Sequence, residues 1–119
     1  MLNIDTLIVF HNPRCSKSRQ VLALLDNKDV QYKIFPYLEN EISYDEFKRI
    51  LGLLKLKPRD ILRVKEKEYL ENNLNNMKLT DEDIIKIVLK NRKLIERPIA
   101  IKGEKAVIAR PPEKVFQVL

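Results

Sequence analysis

The only cysteine of this chain, Cys15, lies where strand-forming residues give way to residues with helical periodicity. Residues 6–10, Thr-Leu-Ile-Val-Phe, precede it, and residues 21–25, Val-Leu-Ala-Leu-Leu, follow it. The continuous apolar run is typical of a strand that is covered on both faces of an α/β sheet. The first N–H groups of a helix lack partners within it, and they form the positive end of the helix dipole, which favours a thiolate over a thiol. The sequence therefore predicts a strand-to-helix junction that holds an anionic sulfur.

The residues around Cys15 carry positive charge. No acid lies within four positions of the cysteine, whereas four basic residues do: His11, Arg14, Lys17 and Arg19. Nearby cations favour the ionised form of a thiol. The alternative is that Cys15 is a small buried apolar residue, as most free cysteines are. We favour a reactive thiol, because position and charge act in the same direction.

Residues 11–19, His-Asn-Pro-Arg-Cys-Ser-Lys-Ser-Arg, resemble the active-site motif His-Asn-Pro-x-Cys-x-x-Ser-Arg of the glutaredoxin-linked arsenate reductases. Segments 61–63, 96–99 and 109–111 resemble the same family, so the similarity runs through nearly the whole chain. It implies a thioredoxin-like fold and the reduction of arsenate to arsenite. In one departure, Ser16 and Lys17 stand where the family usually has Gly and Thr.

The resemblance also implies roles for individual residues. Cys15 is expected to attack arsenic, and His11 is expected to promote ionisation of the thiol. Arg63, Arg97 and Arg110 are expected to bind the oxyanion. Supporting roles are expected for Asn12, Ser18, Arg19 and Pro98. Without the resemblance, Arg63 and Arg110 are more simply interpreted as solvated or ion-paired surface residues.

The chain contains no second thiol that could resolve an oxidised Cys15. Ser18 occupies the second cysteine position of a Cys-x-x-Cys pattern, so an outside thiol must resolve an oxidised Cys15. The resemblance implies glutathione as co-substrate, glutaredoxin as partner and no bound cofactor. We expect no metal site either, because one cysteine and one histidine cannot form a structural zinc site.

Two alternative functions stay open at this point. One is a non-catalytic relative, similar to the thioredoxin-like regulators that bind RNA polymerase. The other is a glutathione-linked reductase of a different thiol-reactive substrate, which the replacement at Ser16 and Lys17 allows.

The order of the predicted elements indicates an α/β fold. A strand over residues 4–10, a helix from about Cys15 to Asn27 and a strand over residues 30–35 form a βαβ unit. Capping patterns at Ser43 and Thr80 start two later helices, and a hairpin joins residues 98–101 to residues 106–109. We predict one thioredoxin/glutaredoxin-like domain over residues 1–119, with a mixed sheet and a helical insertion at about residues 40–95 between the second and third strands.

The composition limits the partners. The net charge of +6 and the pI near 9.5 produce a field that attracts small anions. The densest basic stretch, residues 55–67, lacks interleaved aromatic side chains on which bases could stack, so nucleic-acid binding is disfavoured. No apolar run approaches the ~18 residues of a membrane span. A lone cysteine gives no indication of an oxidising compartment, so we expect a cytoplasmic protein that binds no membrane.

Overall fold

The computed structural model describes residues 6–119, so residues 4 and 5 of the predicted first strand lie outside the described part. The chain divides into two compact units. The first unit contains residues up to Asn40 together with Arg97–Leu119, and the second contains Glu41–Glu96. Within residues 6–119, no helix combines the length and the apolar character that crossing a membrane requires.

The first unit is built on a four-stranded mixed sheet. Its strands are β1 (Ile8–Phe10), β2 (Lys33–Phe35), β3 (Ile99–Lys102) and β4 (Lys105–Ile108). They lie in the order β2-β1-β3-β4, with β1 parallel to β2 and antiparallel to β3, and with β3 antiparallel to β4. This arrangement confirms the predicted α/β class and the thioredoxin-like sheet.

The helix α1 (Ser16–Asn27) joins β1 to β2 and packs its apolar face into the core. Val21 and Leu25 are fully buried there, against Val115 and Val118 from the last segment of the chain. The rest of this core comes from the strands and their flanks: Leu7, Val9, Ala100 and Ala109. The last segment of this unit is a 3₁₀ helix, Pro112–Val118. The Lys114 N–H donates to the Pro111 carbonyl three residues earlier at 3.0 Å, which is the spacing of a 3₁₀ hydrogen bond.

The strand β2 is shorter than predicted, because the residues before it end the preceding helix instead of joining the sheet. The Val30 N–H donates to the Leu25 carbonyl at 2.9 Å, beside the Lys28 N–H bond to the same carbonyl at 3.2 Å, and both bonds close the end of α1. The first backbone bond from this strand to the sheet comes from the Lys33 N–H, which donates to the Leu7 carbonyl at 2.8 Å. The parallel ladder therefore begins three residues later than the alternating pattern indicates.

The second unit is helical and lies in the sequence between β2 and β3, as predicted. Its helices are α2 (Tyr44–Leu54), α3 (Lys67–Glu71) and α4 (Asp81–Lys90), with 3₁₀ turns at Pro58–Ile61 and Arg92–Leu94. Both predicted caps are present. Ser43 Oγ accepts from the Glu46 N–H at 3.1 Å, and Thr80 and Asp83 bond reciprocally at 3.0 and 3.1 Å.

Candidate active site

Cys15 is the N-cap residue of α1, with extended backbone angles of φ −95° and ψ 122°. Its N–H donates to the Asn12 carbonyl at 3.0 Å, and its own carbonyl accepts from the Arg19 N–H at 3.1 Å. The chain therefore turns sharply between β1 and α1 and begins the helix at the cysteine. The residue is 6 % exposed. The predicted placement of Cys15 at a helix N-terminus is confirmed.

The register of the sheet brings residues 97–98 and residues 109–110 to the end of β1 that leads into the cysteine loop, residues 11–15. Phe10 is paired with Ile99, so the residues that precede β3 lie beside the residues that follow β1. Ile99 is paired in turn with Ile108, so the residues that follow β4 leave from the same end. The Ala109 N–H donates to the Pro98 carbonyl at 2.8 Å and holds the last two segments together.

Arg97 and Arg110 are carried by these two segments. Each precedes a cis peptide bond, to Pro98 and to Pro111 respectively. Nη1 of Arg110 donates to the Arg97 carbonyl at 3.2 Å. The Arg97 side chain is half-buried, with its Nε and Nη1 atoms shielded from solvent, whereas Arg110 is exposed. The structure thus places both arginines at the sheet end from which the cysteine loop departs, and their role as oxyanion ligands stays a prediction.

Arg63 belongs to the second unit, where two carboxylates lie within 4 Å of its guanidinium. Nη1 lies 2.9 Å from Glu66 Oε1, and Nε lies 3.9 Å from Glu96 Oε1. The backbone is also fixed, because the Arg63 N–H donates to the Leu94 carbonyl at 2.8 Å. Within this unit, Leu62 and Ile95 form an isolated antiparallel bridge, and the Glu96 N–H donates to the Ile61 carbonyl at 2.8 Å. The role of Arg63 at the oxyanion stays a prediction.

A hydrogen-bond network connects the cysteine loop to the first turn of α1 through three residues: His11, Asn12 and Ser18. Nδ1 of His11 lies 2.7 Å from Ser18 Oγ, and that oxygen also accepts from the Asn12 N–H at 3.0 Å. Ser18 is completely buried, and His11 is 8 % exposed. The sequence indicated only a supporting role for Ser18. The sequence did contain an indication of a contact with His11, because Ser18 lies in the first turn of the predicted helix and seven positions after the only histidine.

Two further side-chain bonds fix the loop between His11 and Cys15. Asn12 Oδ1 accepts from the Arg14 N–H at 3.0 Å, so the Asn12 side chain closes the turn around Pro13. Arg19 Nη1 donates to the Pro13 carbonyl at 2.8 Å. Arg19 therefore fixes the position of the loop and also contributes a positive charge near Cys15.

Burial lowers the pKa of His11 below its ordinary value of 6.5, and the positive charge of Arg19 lowers it further. The imidazole is therefore the neutral member of the basic cluster at neutral pH. The positive charge comes from Arg14, Lys17 and Arg19, and no acidic residue occurs anywhere from Thr6 to Leu25 to offset it.

The sequence model of the ArsC family matches residues 10–118 of this chain. A protein of Haemophilus influenzae named arsenate reductase is 43 % identical over 115 residues, which cover 96 % of this chain and 99 % of that protein. The uncharacterized protein YfgD of Escherichia coli K12 is 39 % identical over 93 % of this chain and 94 % of its own length.

A solved structure described as an arsenate reductase from Vibrio cholerae superposes with a TM-score of 0.92 at 40 % identity. It covers 98 % of this chain and 100 % of its own chain, so the similarity extends to the sheet, the helical insertion and the cysteine loop alike. The chain belongs to the ArsC family.

Proposed function

We propose that this protein reduces arsenate to arsenite with Cys15 as the nucleophile. The observation that carries the proposal is the register of Phe10, Ile99 and Ile108, which directs Arg97 and Arg110 to the sheet end where Cys15 begins α1. The names of the relatives from Haemophilus influenzae and Vibrio cholerae support the same substrate.

Each turnover uses the Cys15 thiol and consumes two molecules of glutathione, which together supply the two electrons that arsenic gains. The Cys15 sulfur attacks arsenic(V) and displaces one oxygen, which leaves as water after protonation. Glutathione then attacks the Cys15 sulfur, the sulfur–arsenic bond breaks, and its electron pair stays on arsenic. Arsenic thus gains two electrons, arsenite leaves, and Cys15 and glutathione are joined in a mixed disulfide. The thiol of glutaredoxin then attacks the glutathione sulfur and releases Cys15, and a second glutathione regenerates glutaredoxin and leaves as glutathione disulfide.

The positive groups near Cys15 would offset the negative charge of the substrate. Arsenate carries negative charge before and after it is bonded to sulfur, and the guanidinium fork matches a pair of its oxygens. Arg97 and Arg110 would supply such forks from the first unit, and we assign Arg63 the same function on the strength of the family resemblance. Glutathione and glutaredoxin point to the cytoplasm as the compartment in which the protein works.

A coupled assay tests the proposal. Arsenate-dependent oxidation of NADPH is followed with glutathione, glutathione reductase and glutaredoxin present, and Cys15→Ser serves as the matched control. We expect turnover that depends on arsenate and vanishes in Cys15→Ser. Absence of arsenate turnover in a folded wild-type protein would contradict the proposal and favour a different substrate or a regulatory function.

A further inference from the structure

Ser18 is the one fully buried polar residue in the first helical turn, and its hydroxyl has two contacts. The Asn12 N–H donates to Oγ at 3.0 Å, and Nδ1 of His11 lies 2.7 Å from the same oxygen. In a Cys-x-x-Cys protein a second thiol would occupy this position. Here the hydroxyl joins a backbone amide of the cysteine loop to the only histidine of the chain.

The direction of the bond between Ser18 and His11 can be decided by counting protons. A serine hydroxyl has one proton to donate and two lone pairs to accept with. The Asn12 N–H already uses one lone pair. If Nδ1 carried a proton, it would use the second, and the hydroxyl proton would need another acceptor. Among the described residues, Ser18 Oγ contacts no further acceptor, and a buried donor without an acceptor is unfavourable.

We propose that Ser18 is a positioning residue that donates its hydroxyl proton to Nδ1 of His11 and thereby keeps the imidazole proton on Nε2. The same oxygen fixes the ring relative to the Asn12 amide, three residues before Cys15. The burial of His11 supports this arrangement, because it favours the neutral ring, and only a neutral ring has a lone pair at Nδ1.

The consequence for catalysis rests on the proposed function. With Nδ1 occupied, Nε2–H is the only donor of the ring, so the imidazole presents one defined proton during the reaction at Cys15. Replacement of Ser18 by alanine removes the hydroxyl donor to Nδ1 and the acceptor of the Asn12 N–H in one step. The ring is then free to change tautomer and to take up a second proton more readily.

The ¹⁵N spectrum of the imidazole tests the assignment directly, and it contains a single histidine because the chain has only one. In the wild type we expect Nδ1 to resonate as an unprotonated nitrogen and Nε2 as a protonated one at neutral pH. In Ser18→Ala we expect the two resonances to move together through tautomer exchange, and the titration midpoint of His11 to move upward. The charge of Arg19, which also acts on the ring, is the same in both proteins.

Ser16→Ala is the matched control, because it removes a hydroxyl from the same helical turn at an exposed position outside the network. Its His11 spectrum should equal that of the wild type. Ser18→Thr keeps the hydroxyl and should keep the wild-type pattern. A proton on Nδ1 in the wild type, or an unchanged His11 spectrum in Ser18→Ala, would overturn the assignment.

Kinetics separate this inference from the proposed function. Loss of the bond to Nδ1, which is the one of the two Ser18 bonds that acts on the imidazole, should lower kcat/KM for arsenate roughly 2- to 10-fold in Ser18→Ala and shift the acidic limb of its pH profile upward. If the spectra behave as expected while arsenate is not turned over, the proposed function fails and the positioning role of Ser18 stands. If the wild type turns over arsenate and the Ser18→Ala pH profile is unchanged, the positioning role is overturned alone.

Discussion

Nη1 of Arg110 donates to the carbonyl oxygen of Arg97 at 3.2 Å, so the two arginines at the same end of the sheet are joined by a hydrogen bond. Beneath them, the Ala109 N–H donates to the Pro98 carbonyl at 2.8 Å. These two bonds bridge the start of β3 and the end of β4. The placement of one arginine therefore depends on the other, and both depend on the register of the hairpin.

Removal of either guanidinium should impair arsenate reduction. A charge-assisted hydrogen bond contributes about 1.5–3 kcal/mol, so we expect Arg97→Ala and Arg110→Ala to lower kcat/KM roughly 10- to 150-fold. Lysine keeps the charge but not the bidentate fork, so Arg97→Lys should recover only part of this loss. The measurement is the coupled arsenate assay.

Arg49→Ala is the control for these substitutions. Arg49 is exposed on α2, and its contact with Glu46 is a long one of 3.7 Å, which contributes little at the surface. This variant removes the same formal charge far along the sequence from the cysteine loop. If Arg49→Ala and Arg97→Ala lowered activity equally, a diffuse positive field would explain the effect, and a specific anion site would be excluded.

The local features of the fold were predictable from sequence, because their partners are close along the chain. The Thr80 cap depends on Asp83, three residues away, and the start of α1 at Cys15 follows from a proline and a change of periodicity within a few positions. The bond from Ser18 to His11 spans seven residues, and its existence requires both side chains to be buried. Periodicity alone does not show such a contact.

Distant backbone partners could not be predicted in this way. Arg59 shares a basic stretch with Arg63, and in the sequence the two look alike. In the structure, Arg59 donates to the carbonyls of Leu74 and Asn76 at 2.7 and 2.6 Å and holds a turn in place. A sequence does not show which backbone carbonyl accepts such a bond, because every residue has a carbonyl. The convergence of Arg97 and Arg110 likewise depends on strand register, and the sequence indicated it only through the family resemblance.

Arg63 allows an ion-pair role to be distinguished from a substrate-binding role. Its Nη1 atom lies 2.9 Å from Glu66 Oε1, so Glu66→Ala breaks the pair and keeps the guanidinium, whereas Arg63→Ala removes both. If Arg63 binds the oxyanion, kcat/KM should fall roughly 10- to 150-fold in Arg63→Ala and stay near the wild-type value, or rise, in Glu66→Ala. Equal losses in both variants would identify the ion pair as the functional unit.

Turnover should leave one glutathione on Cys15. The chain has no second cysteine, so an oxidised Cys15 cannot be resolved internally. Intact-mass analysis after arsenate turnover with glutathione, but without glutaredoxin, should show a single glutathione adduct. Cys15→Ser should show none. Sustained reduction of arsenate without any added thiol would contradict this prediction.

The stability of the first unit should fall on mild acidification because of His11. In the unfolded chain the imidazole binds a proton near its ordinary pKa of 6.5, whereas burial and the charge of Arg19 lower the pKa of His11 in the folded protein. Between these two values the unfolded state binds more protons, so the free energy of unfolding decreases as the pH decreases. The contribution is complete above pH 6.5 and is lost as the pH falls through the folded-state pKa.

Urea unfolding between neutral pH and about pH 5 measures this effect. One proton limits the slope to about 1.4 kcal/mol per pH unit. His11→Gln should flatten the curve in this range, because it removes the only histidine of the chain. Arg19→Gln should reduce the slope but not abolish it, since burial is the larger cause of the shift. An equal slope in wild type and His11→Gln would show that another group is responsible.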